Sequence, residues 1–135
     1  MAGYDILEMG STETWGGYTG VAPGKRFVDK EMPAQYIGMS ANSLAPGGSA
    51  PFWHTHFAVE EMYVFLTGTG QMALDDEIVD VSPGTAVRVG QGVWRAWHAA
   101  SDGPLTWLCI RSGGAELAEV GLDGERDLER PLPWT

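Results

Sequence analysis

The stretch HTHFAVEEMYVFLTG, residues 54–68, sets two histidines one residue apart, then a turn, then two glutamates at the head of an apolar run. Side chains at i and i+2 of an extended segment share a face, with Cα atoms about 6.6–7 Å apart. His54 and His56 therefore project together while Thr55 faces the other way. The segment FAVE turns the chain, and in the strand beyond it Glu61, Tyr63 and Phe65 share one face up to a glycine turn at Gly68. Alternation selects Glu61 over its neighbour Glu60. If the two faces coincide, two imidazoles and a carboxylate converge on one divalent cation, at nitrogen-to-metal distances of about 2.0–2.1 Å for zinc. The competing reading is a hairpin whose histidines are merely hydrogen-bonded and whose Glu61 is ordinary polar surface.

Outward from this stretch the chain reads as short β-rich segments between turn clusters: APGGSAP (45–51), TGTG (67–70), LDDE (74–77), VSPG (81–84), VGQG (89–92) and ASDGP (100–104). Turn signals at this spacing, with no helical periodicity between them, predict an all-β sandwich or barrel. Residues 1–30 read as irregular, with at most short strands, because WGGYTGVAPGKRF is rich in Gly and Pro. Residues 112–135 form a tail with one helical turn or none, its charges a solvated face.

The chain of 135 residues is long enough for one domain, 1–135, and too short for two ordinary ones. A net charge of -10 argues against nucleic acid and against anionic membrane as partners. Cys109, the single cysteine, lies in the apolar LTWLCIR and reads as core, so no internal disulfide is available. The N-terminal residues lack a basic flank and an apolar stretch, and no run approaches 18 apolar residues, which leads us to expect a cytoplasmic protein.

The pattern G-x5-H-x-H-x4-E-x6-G, satisfied by Gly48, His54, His56, Glu61 and Gly68, resembles the first motif of the cupin superfamily. That resemblance implies a double-stranded β-helix (jelly-roll-like) barrel over residues 37–111. The second cupin motif, G-x5-P-x-G-x2-H-x3-N, is matched loosely: Gly84 stands at the opening glycine, Gly90 at the proline and Gly92 at the second glycine. At the histidine position stands Arg95, and at the asparagine position Ala99. The chain looks similar, across SLAPGGSAPFWHTH, to small bacterial cupins that also carry arginine there.

Arginine stays protonated and offers no lone pair, so Arg95 cannot replace a histidine ligand. The resemblance then implies three protein ligands, His54, His56 and Glu61, and open positions on a zinc, iron, manganese or nickel ion. Arg95 either clamps an anionic substrate beside the metal or forms a salt bridge at the barrel rim. Trp97 shares its face and forms an apolar wall. His98 alternates to the opposite face and becomes a fourth ligand only through a bulge. Tyr63, on the face of Glu61, is a candidate general acid or hydrogen-bond donor. Trp53 and Trp94 alternate outward and suit a homodimer contact. The functional expectation is a small-molecule enzyme of dioxygenase, isomerase, cyclase or lyase type acting on an anionic organic molecule; a cupin that binds or senses such a ligand without turnover is the alternative.

Overall fold

The structure is a computed structural model, and it describes residues 3–19, 22–117 and 123–134. Its strands are β1 (Lys25–Phe27), β2 (Gly38–Leu44), β3 (Trp53–His56), β4 (Glu60–Thr67), β5 (Gly70–Leu74), β6 (Glu77–Val81), β7 (Ala86–Val89), β8 (Arg95–Ala99), β9 (Leu105–Ser112) and β10 (Gly124–Asp127). A 3-10 helix, Thr12–Gly17, precedes β1, and a single helical turn, α1 (Val28–Glu31), follows it. The strands form two antiparallel five-stranded sheets, β1-β2-β9-β4-β7 and β10-β3-β8-β5-β6. This is the double-stranded β-helix expected from the sequence. The two sheets face each other as a sandwich and, among the described residues, share no ladder that would close them into a barrel.

Each turn cluster read from the sequence lies where one strand gives way to the next. At Gly68 the reason is steric as well as conformational: φ is +80°, and a Cβ would fall 2.0 Å from the carbonyl oxygen of Pro104. Only glycine adopts that conformation freely and leaves room for the passing backbone. Asp75 is the one non-glycine residue with positive φ among the described residues, at 53°. It sits at the β5–β6 turn, where its backbone N–H donates to Trp94 and its carboxylate accepts from the Trp94 N–H, tying the turn to the entry of β8.

Alternation fills the space between the sheets. Along β4 the inward residues are Glu61, Tyr63 and Phe65, and along the neighbouring β9 they are Arg111, Cys109, Trp107 and Leu105. Phe65, Leu105, Met72 and Val81 pack one end of the interior solid, each contributing about 1.5–3 kcal/mol through burial. Trp97 and Trp107 stack at 5.4 Å above that plug. Toward the other end polar and charged side chains join apolar ones around a cavity of about 1070 Å³.

The outer face of the second sheet differs from expectation. Trp53, expected to point outward as a dimer contact, is 2% exposed. Its indole N–H donates to the carbonyl of Pro131, and the Arg130 guanidinium lies 3.9 Å over its ring. The tail is therefore not a free solvated segment: it wraps back over β3 and supplies a tenth strand. Trp94 is half-buried against the core rather than displayed. The tail is expected to hold one helical turn or none; residues 118–122 lie outside the described residues, and residues 123–134 hold strand β10 and no helix. No helix among the described residues is long and apolar enough to cross a membrane.

Candidate metal centre

His54 and His56 project from β3 onto the cavity wall, Thr55 turns away to donate its hydroxyl to the Val93 carbonyl, and Glu61 reaches across from the start of β4. One ligand atom from each of His54, His56 and Glu61 lies within 4.8 Å of the others. Two imidazoles and a carboxylate at that mutual distance suit a divalent cation of the zinc, iron, manganese or nickel kind. Glu60, one residue earlier, faces solvent and pairs with Arg88 at 2.7 Å.

The chemistry around the three side chains prepares them as donors. Asp123, just before β10, accepts a hydrogen bond from His56 Nδ1 at 3.0 Å. The proton on Nδ1 leaves the Nε2 lone pair free, and Nε2 lies 3.7 Å from Glu61 Oε2. Asp123 also accepts from the N–H groups of Ala58 and Val59, at 2.7 and 3.0 Å. Burial raises its pKa, but these hydrogen bonds outweigh that and hold the carboxyl below its usual range. His54 is held neutral: burial first, then the positive charge of Arg95, pushes its pKa down to about 2.

Glu61 is 4% exposed and carries three neighbours of its own. The Tyr63 hydroxyl donates to Oε1, the Cys109 thiol donates to Oε2 at 3.3 Å, and Arg95 Nη2 lies 3.2 Å from Oε1. Burial, with the nearby Cys109 and Glu61, raises the Tyr63 pKa well above 10.0, and burial with Glu61 pushes the Cys109 thiol up as well, so both remain protonated donors. The hydroxyl of Tyr63 is thus engaged by the Glu61 carboxylate, while its side chain lines the cavity.

Arg95 does not occupy the place expected of a substrate clamp or a rim salt bridge. It is 0% exposed, stands beside His54 in the β3–β8 pairing, and forms no part of the cavity lining. Nη1 donates to the Val93 carbonyl at 2.9 Å, whereas Nε and Nη2 have no hydrogen-bond partner among the described residues. Its contact with Glu61 is therefore an ion pair of close charges rather than an aligned fork. The arginine neutralises the ligand carboxylate from behind.

His98 keeps the outward parity read from the sequence, without the bulge that would have made it a fourth ligand. β8 runs without a bulge at this point, so alternation holds His98 on the outer face, where Nδ1 lies 2.7 Å from Ser49 Oγ and the ring stacks on Trp134 at 5.4 Å. It takes no part in the cluster formed by His54, His56 and Glu61. Trp97 does line the cavity, 5.2 Å from His54 between ring centroids. Four contributors escaped the sequence reading. Asp123 and Arg126 come from the tail, Lys25 from the Gly-rich N-terminal segment, and Arg111 from the end of β9. Only Arg111, at the inward parity of β9, carried a periodic signal.

Comparison with known proteins agrees with this geometry. The family model described as "Cupin domain" matches residues 42–111, over half of the chain. An uncharacterised protein of Methanocaldococcus jannaschii is 32% identical over 69 residues, covering 51% of this chain and 55% of that protein, so the chain spans about half the length of this curated relative. A crystal structure of a cupin protein from Bacteroides fragilis superposes with a TM-score of 0.72 at 25% identity, covering 84% of this chain and 87% of that one. A conserved protein with a double-stranded β-helix domain from Klebsiella pneumoniae superposes at 0.67 with 10% identity, covering 90% and 97%. Structures sharing the fold include a polyketide cyclase and a predicted oxalate decarboxylase, each at 21% identity, so the fold alone leaves the reaction open.

Proposed function

The chain belongs to the cupin domain family, and on that premise we propose that it holds one divalent metal ion through His54, His56 and Glu61 and acts on a small organic molecule in the cavity beside them. The observation that carries this reading is the convergence of two imidazoles and a carboxylate, within 4.8 Å of one another, on the wall of a cavity of about 1070 Å³. Three donors leave coordination positions facing that space.

A divalent cation bound there supplies Lewis acidity to oxygen atoms of the small molecule, or, if it is iron, a centre for oxygen chemistry. The chain's own residues supply the rest. Asp123 fixes the tautomer and orientation of His56; Tyr63, Cys109 and Arg95 fix the carboxylate of Glu61; Trp97 and Trp107 give the molecule a flat apolar wall and exclude water from one side. Iron suits dioxygenase chemistry at such a site, whereas zinc or manganese suits isomerase, cyclase or lyase chemistry.

Elemental analysis of the protein as isolated, beside a His56→Ala variant, tests the reading. We expect close to one equivalent of a single metal in the wild type and loss of most of it in the variant. Equal metal in both removes His56 from the ligand set and the reading with it.

A further inference from the structure

The chain has 8 basic residues against 18 acidic ones. Five of the basic residues lie within 4.0 Å of a carboxylate: Arg26 with Glu31, Arg88 with Glu60, Arg95 with Glu61, Arg111 with Asp29 and Arg130 with Asp76. The remaining three, Lys25, Lys30 and Arg126, have no such partner among the described residues, and all three line the cavity. In so acidic a protein, unpaired cations scattered by chance would not gather around one opening. A cation in a concave, partly dry site also projects a stronger field than one on open surface.

Lys25 is the innermost of the three. It stands opposite Asn42 in the β1–β2 pairing, so both side chains face the interior, and it is half-buried with Nζ 5.3 Å over the Phe27 ring. Arg126 stands opposite His54 in the β10–β3 pairing and stacks on Phe52 at 4.7 Å. The two cations therefore approach the cavity from different sheets. None of the nearby carboxylates among the described residues lies within 4.0 Å of either cation. Asp29 is engaged by Arg111 and the Met39 N–H, Asp123 by His56 and two backbone amides, Glu61 by the groups behind it, and Glu125 is exposed to solvent.

We propose that Lys25, assisted by Arg126 at the mouth, forms an anion subsite, and that the substrate is a small organic carboxylate whose charged group binds there while another of its oxygens faces His54, His56 and Glu61. The second half of this statement rests on the metal reading above; the subsite itself is defined by cations that have no carboxylate partner among the described residues and that line one cavity. Folding lowers the pKa of Lys25: burial outweighs the opposing pull of Cys109 and Glu61, so the ammonium has lost water without gaining an adequate counter-ion. A bound carboxylate supplies that counter-ion. The stacked pair Trp97 and Trp107 lines the same cavity, which favours a flat, unsaturated or aromatic body.

Calorimetric titration of the Zn(II)-loaded and the metal-free protein with benzoate against benzamide, and with succinate against succinamide, tests the proposal. We expect the wild type to bind the acid more tightly than its amide by about tenfold to a hundredfold, the range of a charge-assisted hydrogen bond. Lys25→Gln is expected to abolish that preference and Lys25→Arg to keep most of it. Arg126→Gln, at an exposed position, is expected to weaken it severalfold, and it carries the test if Lys25→Gln does not fold. A folded Lys25→Gln, or in its place Arg126→Gln, that binds acids as tightly as wild type overturns the proposal, as does a wild type that binds acid and amide alike or binds neither. The two readings fail separately. A protein that takes up no metal yet shows the Lys25-dependent preference loses the metal centre and keeps the anion subsite; one that holds an equivalent of metal and ignores charge does the reverse.

Discussion

The guanidinium of Arg95 and the carboxylate of Glu61 form an ion pair at 3.2 Å in which neither partner is more than 5% exposed. A buried pair is weak evidence of stabilisation, but breaking one strands a charge. Arg95→Leu leaves the Glu61 carboxylate with the Tyr63 and Cys109 donors and no arginine or lysine within 4.0 Å among the described residues. We expect that variant to lose about 3–5 kcal/mol in denaturant unfolding of the metal-free protein. Added divalent metal is expected to recover much of the loss, because it restores positive charge at the same carboxylate.

Asp123 acts on His56 from outside the ligand set. Asp123→Ala frees the imidazole to rotate and to change tautomer, and outer partners of this kind are worth about 10–100-fold in metal affinity. Competition titration with a chromophoric chelator is expected to show a loss in that range with the fold intact by circular dichroism. Unchanged affinity refutes the role given to Asp123.

His98 provides the contrast. His98→Ala removes the contact with Ser49 and the stack on Trp134, for which we expect about 0.5–1.5 kcal/mol of destabilisation. Metal content measured on the purified variant is expected to equal that of the wild type. A fall to a small fraction would return His98 to the ligand set.

Lys25 gives a pH dependence with a definite sign. Its folded pKa lies below the ordinary 10.5, so between those two values the folded chain binds fewer protons than the unfolded chain, and stability rises with pH. The burden of the buried ammonium is greatest below the folded value. Lys25→Met is therefore expected to raise the melting temperature at pH 7 in the absence of ligand, and the gain is expected to shrink as pH approaches 10.5. A variant less stable than wild type at pH 7 contradicts this.

The candidate ligand cluster was legible because it depends only on period-two alternation over fifteen residues, a local property of the chain. His54, His56 and Glu61 follow from parity, and so does the outward placing of His98. Parity does not report how far a long side chain reaches or what covers an outer face. Arg95 has inward parity, yet its guanidinium turns behind Glu61 instead of into the cavity. Trp53 has outward parity and is buried all the same, because the tail lies over it. Lys25, Asp123 and Arg126 reach the cavity through pairings between distant parts of the chain, and nothing in their own neighbourhoods records those pairings.

Chain order also bears on how the centre comes into being. A ribosome releases the two imidazoles and the carboxylate almost together, but the group that orients the second imidazole follows His56 by 67 positions. Until that later segment docks beside β3, a nascent chain offers a cation only a half-built cradle. On the proposed reading, full hold on an ion is thus a late acquisition in the life of the polypeptide, gained when β10 pairs with β3.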